Sequence, residues 1–139
     1  MLLLVDDEEA DRSEMRLALE CDNHVIVEAG TYLEALKAFE DHRDSITIFV
    51  ADISLPGGNG CELAIAFRRQ KPDLRILFVS SHVGAEVAKY YGLGISDHNF
   101  LQKPFAADEL RSRIREILES PEPSPALYVG VERRRRMRG

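Results

Sequence analysis

The stretch ITIFVADISLPGGNG (46–60) sets an apolar run, Ile46 to Ala51, against a single acid, Asp52, and then a Pro56-Gly57-Gly58 turn. The run is apolar or β-branched on successive residues instead of alternating, which predicts a parallel strand covered on both faces. An acid at the end of such a strand costs desolvation energy unless another group compensates it. Its partners have to come from elsewhere in the chain.

Four more runs read as strands: LLLV (2–5), HVIVEA (24–29), RILFVS (75–80) and NFLQ (99–102). Between them the apolar period becomes helical. Met15, Ala18 and Leu19 mark a first helix, Tyr32, Ala35, Leu36 and Phe39 a second, and Leu63, Ala64 and Phe67 a third. Val87, Ala88 and Tyr91 mark a shorter fourth, and Leu110, Ile114, Ile117 and Leu118 a fifth. Aromatic and leucine stripes of this kind are core. The fold class is therefore α/β: a (βα)5 alternation forming a doubly wound, five-stranded parallel sheet. In such sheets ligands gather beyond the carboxyl ends of the strands.

The residues just after the strands share a chemistry. The first strand ends at Asp6-Asp7, the third at Asp52, the fourth at Ser80-Ser81 and the fifth at Lys103-Pro104. Three close carboxylates repel one another and call for a cation. An all-oxygen set suits a hard divalent ion, Mg2+ or Mn2+. Lys103 offers a mobile ammonium and Ser80 a hydroxyl for a phosphoryl oxygen. Together these parts favour in-line phosphoryl transfer with a carboxylate as nucleophile.

LLLVDDEE, VADISLPGGNG, ILFVSS and FLQKPF, in this order and at this approximate spacing, resemble the receiver domain of two-component response regulators, the CheY-like superfamily, over residues 2–119. The resemblance implies the flavodoxin-like strand order 2-1-3-4-5. It also implies Asp52 as phosphoacceptor, with Lys103 and Ser80 at the phosphoryl group. Asp6, Asp7, Asp52 and the backbone carbonyl of Ser54 would hold the metal, and Ser80 with Phe100 would form the switch. Ser54 and His82 would tune the lifetime of the phosphate. A cis Lys103–Pro104 bond is also implied. The phosphoryl donor would be a histidine kinase or a histidine phosphotransfer protein, and the receiver would be a monomer or a phosphorylation-dependent homodimer. Beyond its own phosphorylation and dephosphorylation at Asp52, no enzymatic activity is expected.

Each residue alone has a plainer reading. Asp6-Asp7 fits a helix N-terminus, Asp52 a turn, Phe100 the core and His82 an exposed loop. Two departures stand out. The 23 positions from Ser80 to Lys103 are about one more than the family suggests, and FLQKPF is more similar to receivers attached to sensor kinases than to DNA-binding regulators. Alternatives are a phosphate-independent receiver acting as an interaction module, a haloacid-dehalogenase-like phosphatase and a flavin or nucleotide binder. The phosphatase needs an acid two residues after the nucleophile, where Ser54 stands. PGGNG lacks the spacing of a phosphate-binding glycine loop.

Of the 139 residues, 45% are hydrophobic and 30% charged, as in an ordinary globular chain. The division expected is a receiver over 1–120 and a Pro-rich linker with a disordered basic tail over 121–139. The tail carries a net +3 and the whole chain −6, which leaves −9 on residues 1–120. An acidic body argues against nucleic acid as the main ligand. No apolar run approaches the roughly 20 residues of a membrane span. MLLLVDDEE is too short for a signal peptide, so a cytoplasmic location is expected. The two cysteines, Cys21 and Cys61, lack metal-type spacing. With no effector domain evident in these residues, output is expected through contact with a downstream protein.

Overall fold

Parallel pairing of the apolar runs organises the computed structural model, which describes residues 1–81 and 99–121. The strands are β1 (Leu2–Val5), β2 (Ile26–Ala29), β3 (Ile48–Asp52), the short pair β4 (Ser54–Leu55) and β5 (Gly58–Asn59), then β6 (Arg75–Ser80) and β7 (Phe100–Gln102). Five of them form one sheet in the order β2-β1-β3-β6-β7, every pair parallel. With the short hairpin set aside, this is the order 2-1-3-4-5. Four described helices flank the sheet: α1 (Glu9–Glu20), α2 (Tyr32–His42), α3 (Gly60–Gln70) and α4 (Ala107–Glu119). The expected helix on Val87, Ala88 and Tyr91 lies outside the described residues, as do His82 and the tail from residue 122.

The continuous apolar runs have a two-sided explanation. Successive strand side chains point to opposite faces. Leu3, Val5, Phe49, Ala51, Ile76 and Phe78 enter a core shared with α2 and α3. Leu2, Leu4, Ile48, Val50, Leu77 and Val79 enter a second core beneath α1 and α4. Each large side chain fully buried in this way contributes roughly 1.5–3 kcal/mol. In the first core Phe39 stacks on Phe67 at 4.0 Å, and Phe49 meets Phe67 edge-on at 5.0 Å.

Caps fix the helix starts. Thr31 Oγ1 accepts from Glu34 N at 3.1 Å. Asn59 Oδ1 accepts from Glu62 N, and its amide donates back to the Glu62 carboxylate, both at 2.8 Å. These bonds satisfy N–H groups that have no partner within the helix.

Three strands are shorter at their start than the sequence runs suggest, β7 by the single residue Asn99. β2 begins at Ile26, and β3 begins at Ile48 and takes in Asp52. Ile46 N bonds to His42 O and so belongs to the exit from α2, although its side chain is fully buried. Register then sets the strand ends side by side: Val5 opposite Ala51, Asp52 opposite Val79, Ser80 opposite Gln102. The residues that follow share one rim.

Candidate functional site

On that rim Asp6, Asp7 and Asp52 each present a carboxylate oxygen within 4.8 Å of the others. They differ in setting. The Asp6 side chain is 0% exposed and Asp52 13%, while Asp7 lies open to solvent. Asp6 Oδ1 accepts from Glu8 N at 2.9 Å, which ties it to the entry of α1. Burial holds the Asp6 carboxyl above the ordinary aspartate range, against the opposing pull of Lys103 and of the Glu8 amide.

Lys103 enters from the end of β7. Its Nζ donates to Asp6 Oδ2 at 2.7 Å, Asp52 Oδ2 at 2.9 Å and Asp11 Oδ2 at 3.0 Å. Burial alone would lower its pKa, but the bonds to Asp6, Asp52 and Asp11 outweigh it and raise the value. An ammonium has three protons, and here each has a carboxylate. The backbone of Lys103 is equally fixed, since its N donates to Ser80 O at 2.7 Å. The Lys103–Pro104 bond is cis, as the resemblance implies.

The far wall of the site is the β4–β5 hairpin. Ser54 N donates to Asp52 Oδ1 at 3.0 Å, orienting the second oxygen of that carboxylate. Gly57 has φ of +87°, which glycine adopts without the penalty a side chain would bring. Gly60 closes the unit: its N donates to Ile53 O at 2.8 Å, and a Cβ on it would collide with the carbonyl oxygen of Asp52. A cleft lined by Asp7, Asp52, Ser54, Pro56, Ser80 and Ser81 opens above the carboxylates. Ser80 is buried at its floor. Phe100 is buried too, within the core under α2 and α3, and its carbonyl accepts from Arg113 Nη1 at 2.8 Å.

The response regulator receiver domain model matches residues 2–115. The chain belongs to that family. Response regulator MprA of Mycobacterium leprae is 33% identical over 127 residues, which cover 90% of this receiver and 54% of that protein. Sensor kinase CckA of Brucella abortus is 31% identical over 118 residues, 85% of this receiver and 12% of the kinase. The chain thus spans about half of the first relative and a small part of the second. Among solved structures, the receiver domain of NtrX from Brucella abortus is 30% identical with a TM-score of 0.73, covering 86% of this chain and 99% of that one. Receivers of this family are signalling modules of two-component systems, and no described helix is long and apolar enough to cross a membrane.

The donor set fits a hard divalent cation. Its clustered atoms are all carboxylate oxygens, and the receiver places an ammonium between Asp6 and Asp52, which shows that the pocket demands positive charge. Of the sequence-predicted residues, Asp6, Asp7, Asp52, Ser54, Ser80 and Lys103 meet at the rim, whereas Phe100 lies in the core below it.

Two participants were not legible in the motifs. Asp11, in the first turn of α1, supplies the third bond to Lys103. Its spacing of four residues before Met15 puts it on the inward stripe of the helix, the signal that could have found it. Arg12 donates to the Asp6 carbonyl at 2.6 Å and pairs with Glu28 at 3.2 Å, clamping the end of β1 to β2.

Proposed function

We propose that this receiver is a phosphorylation-dependent signalling switch that takes a phosphoryl group on Asp52 from a histidine kinase or a histidine phosphotransfer protein. The observation that carries this reading is the convergence of Asp6, Asp7 and Lys103 on the exposed edge of the Asp52 carboxylate. An Asp52 oxygen attacks the phosphorus of a phosphohistidine. The P–N bond breaks, its electron pair returns to the imidazole, and an acyl phosphate forms on Asp52. Water later cleaves it to inorganic phosphate and the free carboxylate.

Asp6, Asp7, Asp52 and the Ser54 carbonyl are the groups that would hold Mg2+ or Mn2+, which when bound supplies positive charge to the phosphoryl oxygens. Lys103 moves one of its donors from Asp52 to the phosphoryl group. The Ser80 hydroxyl, beside Lys103 in the β6–β7 ladder, bonds a second phosphoryl oxygen. Because Phe100 is already buried in this structure, phosphorylation would stabilise an inward ring and bias an existing equilibrium. Ser54 at the cleft and His82 are the side chains assigned to phosphate lifetime, for which His82→Ala is the test. Residues 1–120 form the receiver, 121–139 a linker and basic tail. The setting proposed is cytoplasmic, as a monomer or a phosphorylation-dependent dimer, with output through a downstream protein partner.

The test is titration with beryllofluoride and Mg2+, followed by amide NMR of the full chain. Wild type should show saturable shifts at Ser80 and Lys103, and Asp52→Asn none. Persistent kinase-dependent labelling of Asp52→Asn would refute Asp52 as the acceptor.

A further inference from the structure

Among the described residues, Asp11 is the one partner of Lys103 that does not belong to the clustered carboxylates Asp6, Asp7 and Asp52. Its side chain is 43% exposed, against 12% for Lys103. It approaches from α1, at the edge of an open groove shared with Glu14, Met15, Phe105 and Leu110. Asp11 Oδ2 and Asp52 Oδ2 share one ammonium, at 3.0 and 2.9 Å, so the two oxygens lie within about 6 Å of each other.

We propose that Asp11 is a positioning residue that competes with the phosphoryl group for Lys103 and so weakens phosphate binding at Asp52. The inference rests on the reading of Asp52 as phosphoacceptor and assigns a regulator to that site. Two effects act in the same direction. All three lysine protons are engaged, so a phosphoryl oxygen must displace one carboxylate. Asp52 gives up its bond when its carboxylate becomes an acyl phosphate, Asp6 is held by burial, and Asp11 remains as an anchor that draws the ammonium toward α1 and away from the incoming phosphoryl oxygen. In addition, phosphorylation adds roughly one to two negative charges at residue 52, which Asp11 repels from within about 6 Å.

Removing the Asp11 charge should therefore tighten binding of a phosphate mimic by about 3- to 10-fold at low salt, and less at high salt. The same change acts oppositely on the metal alone. With one negative charge fewer, and with Lys103 freer to hold Asp6, Mg2+ binds the variant no more tightly than wild type. Mere damage to the site would weaken both ligands, so tighter beryllofluoride binding without tighter Mg2+ binding separates positioning from structure.

The experiment compares wild type, Asp11→Asn and Asp11→Glu as full chains. Mg2+ is titrated alone, and beryllofluoride is then titrated at saturating Mg2+, with amide NMR as the readout. The expected result is tighter beryllofluoride binding in Asp11→Asn, unchanged or weaker Mg2+ binding there, and wild-type behaviour in Asp11→Glu. Equal or weaker beryllofluoride binding in Asp11→Asn overturns the proposal, as does equal tightening in Asp11→Glu. If wild type itself fails to bind beryllofluoride, the phosphoacceptor reading falls first and takes this inference with it.

Discussion

Gly60 stands where α3 begins, directly against the carbonyl of the proposed nucleophile. A Cβ at that position would come inside 3.0 Å of the Asp52 carbonyl oxygen, and would lie 3.2 Å from both the Asp52 carbonyl carbon and the Ala51 Cβ. None of these atoms is the free end of a flexible side chain. In Gly60→Ala, either the end of β3 or the start of α3 has to shift by at least about 0.7 Å, and overpacking of this kind costs about 1–3 kcal/mol. Alanine returns up to about 1 kcal/mol through its helix propensity. The net expectation is destabilisation by about 1–2 kcal/mol, or a fall in Tm of roughly 3–6 °C. Because the displaced atoms include the backbone of Asp52, beryllofluoride affinity should also fall, by about tenfold. Urea and thermal unfolding measure the first effect and the NMR titration the second. Gly58→Ala is the comparison, since the three atoms nearest its Cβ all belong to the Tyr32 ring; overpacking there should cost a similar amount, about 1–3 kcal/mol, without displacing the Asp52 backbone. If Gly60→Ala matched wild type in both measurements, the close approach would not be what positions Asp52.

Lys103→Met strips the buried Asp6 carboxylate of its ammonium and should destabilise the metal-free protein by about 2–4 kcal/mol; millimolar Mg2+ should restore part of that loss, and equal melting of variant and wild type without metal would contradict it. The pH dependence of the same variant follows from Asp6, whose carboxyl is already raised by burial and rises further without Lys103. An acid with a raised folded-state pKa contributes stability below its unfolded value and loses it as pH climbs through the folded value. The deficit of Lys103→Met should therefore shrink as pH falls through the carboxylate range, and a deficit that grew on acidification would reverse the sign of the argument. Cys61 is buried, and burial followed by the neighbouring Glu62 pushes its thiol up to about 12, whereas Cys21 is exposed. Iodoacetamide at pH 8 should modify Cys21 alone until denaturant is added, as mass spectrometry would show; ready labelling of native Cys61 would mean that α3 opens easily.

The residues at the strand ends were legible because topology does most of the placing. Once ITIFVA reads as a buried parallel strand, Asp52 can only lie at its carboxyl edge, and LLLV and RILFVS bring Asp6 and Ser80 to the same edge. Strand starts were less legible. Apolar character continues through Ile46, but its amide completes the end of α2, and burial alone does not distinguish the two uses. Asp11 was hidden for a different reason: an acid in the first turn of a helix is expected from the helix dipole alone, so its place on the stripe of Met15 did not by itself point to Lys103. The glycines of PGGNG announced a turn, but the collision that forbids a side chain at Gly60 depends on Asp52 and is visible only once the backbone is folded.

The pairing of β6 with β7 has one more consequence. Phe78 N bonds to Asn99 O and Lys103 N to Ser80 O, so the hydroxyl and the ammonium are set by rungs of one ladder. Their distance along the chain therefore does not decide their distance in space. The placing of Ser80 and Lys103 is thus decided by strand register, whatever number of residues joins the two strands.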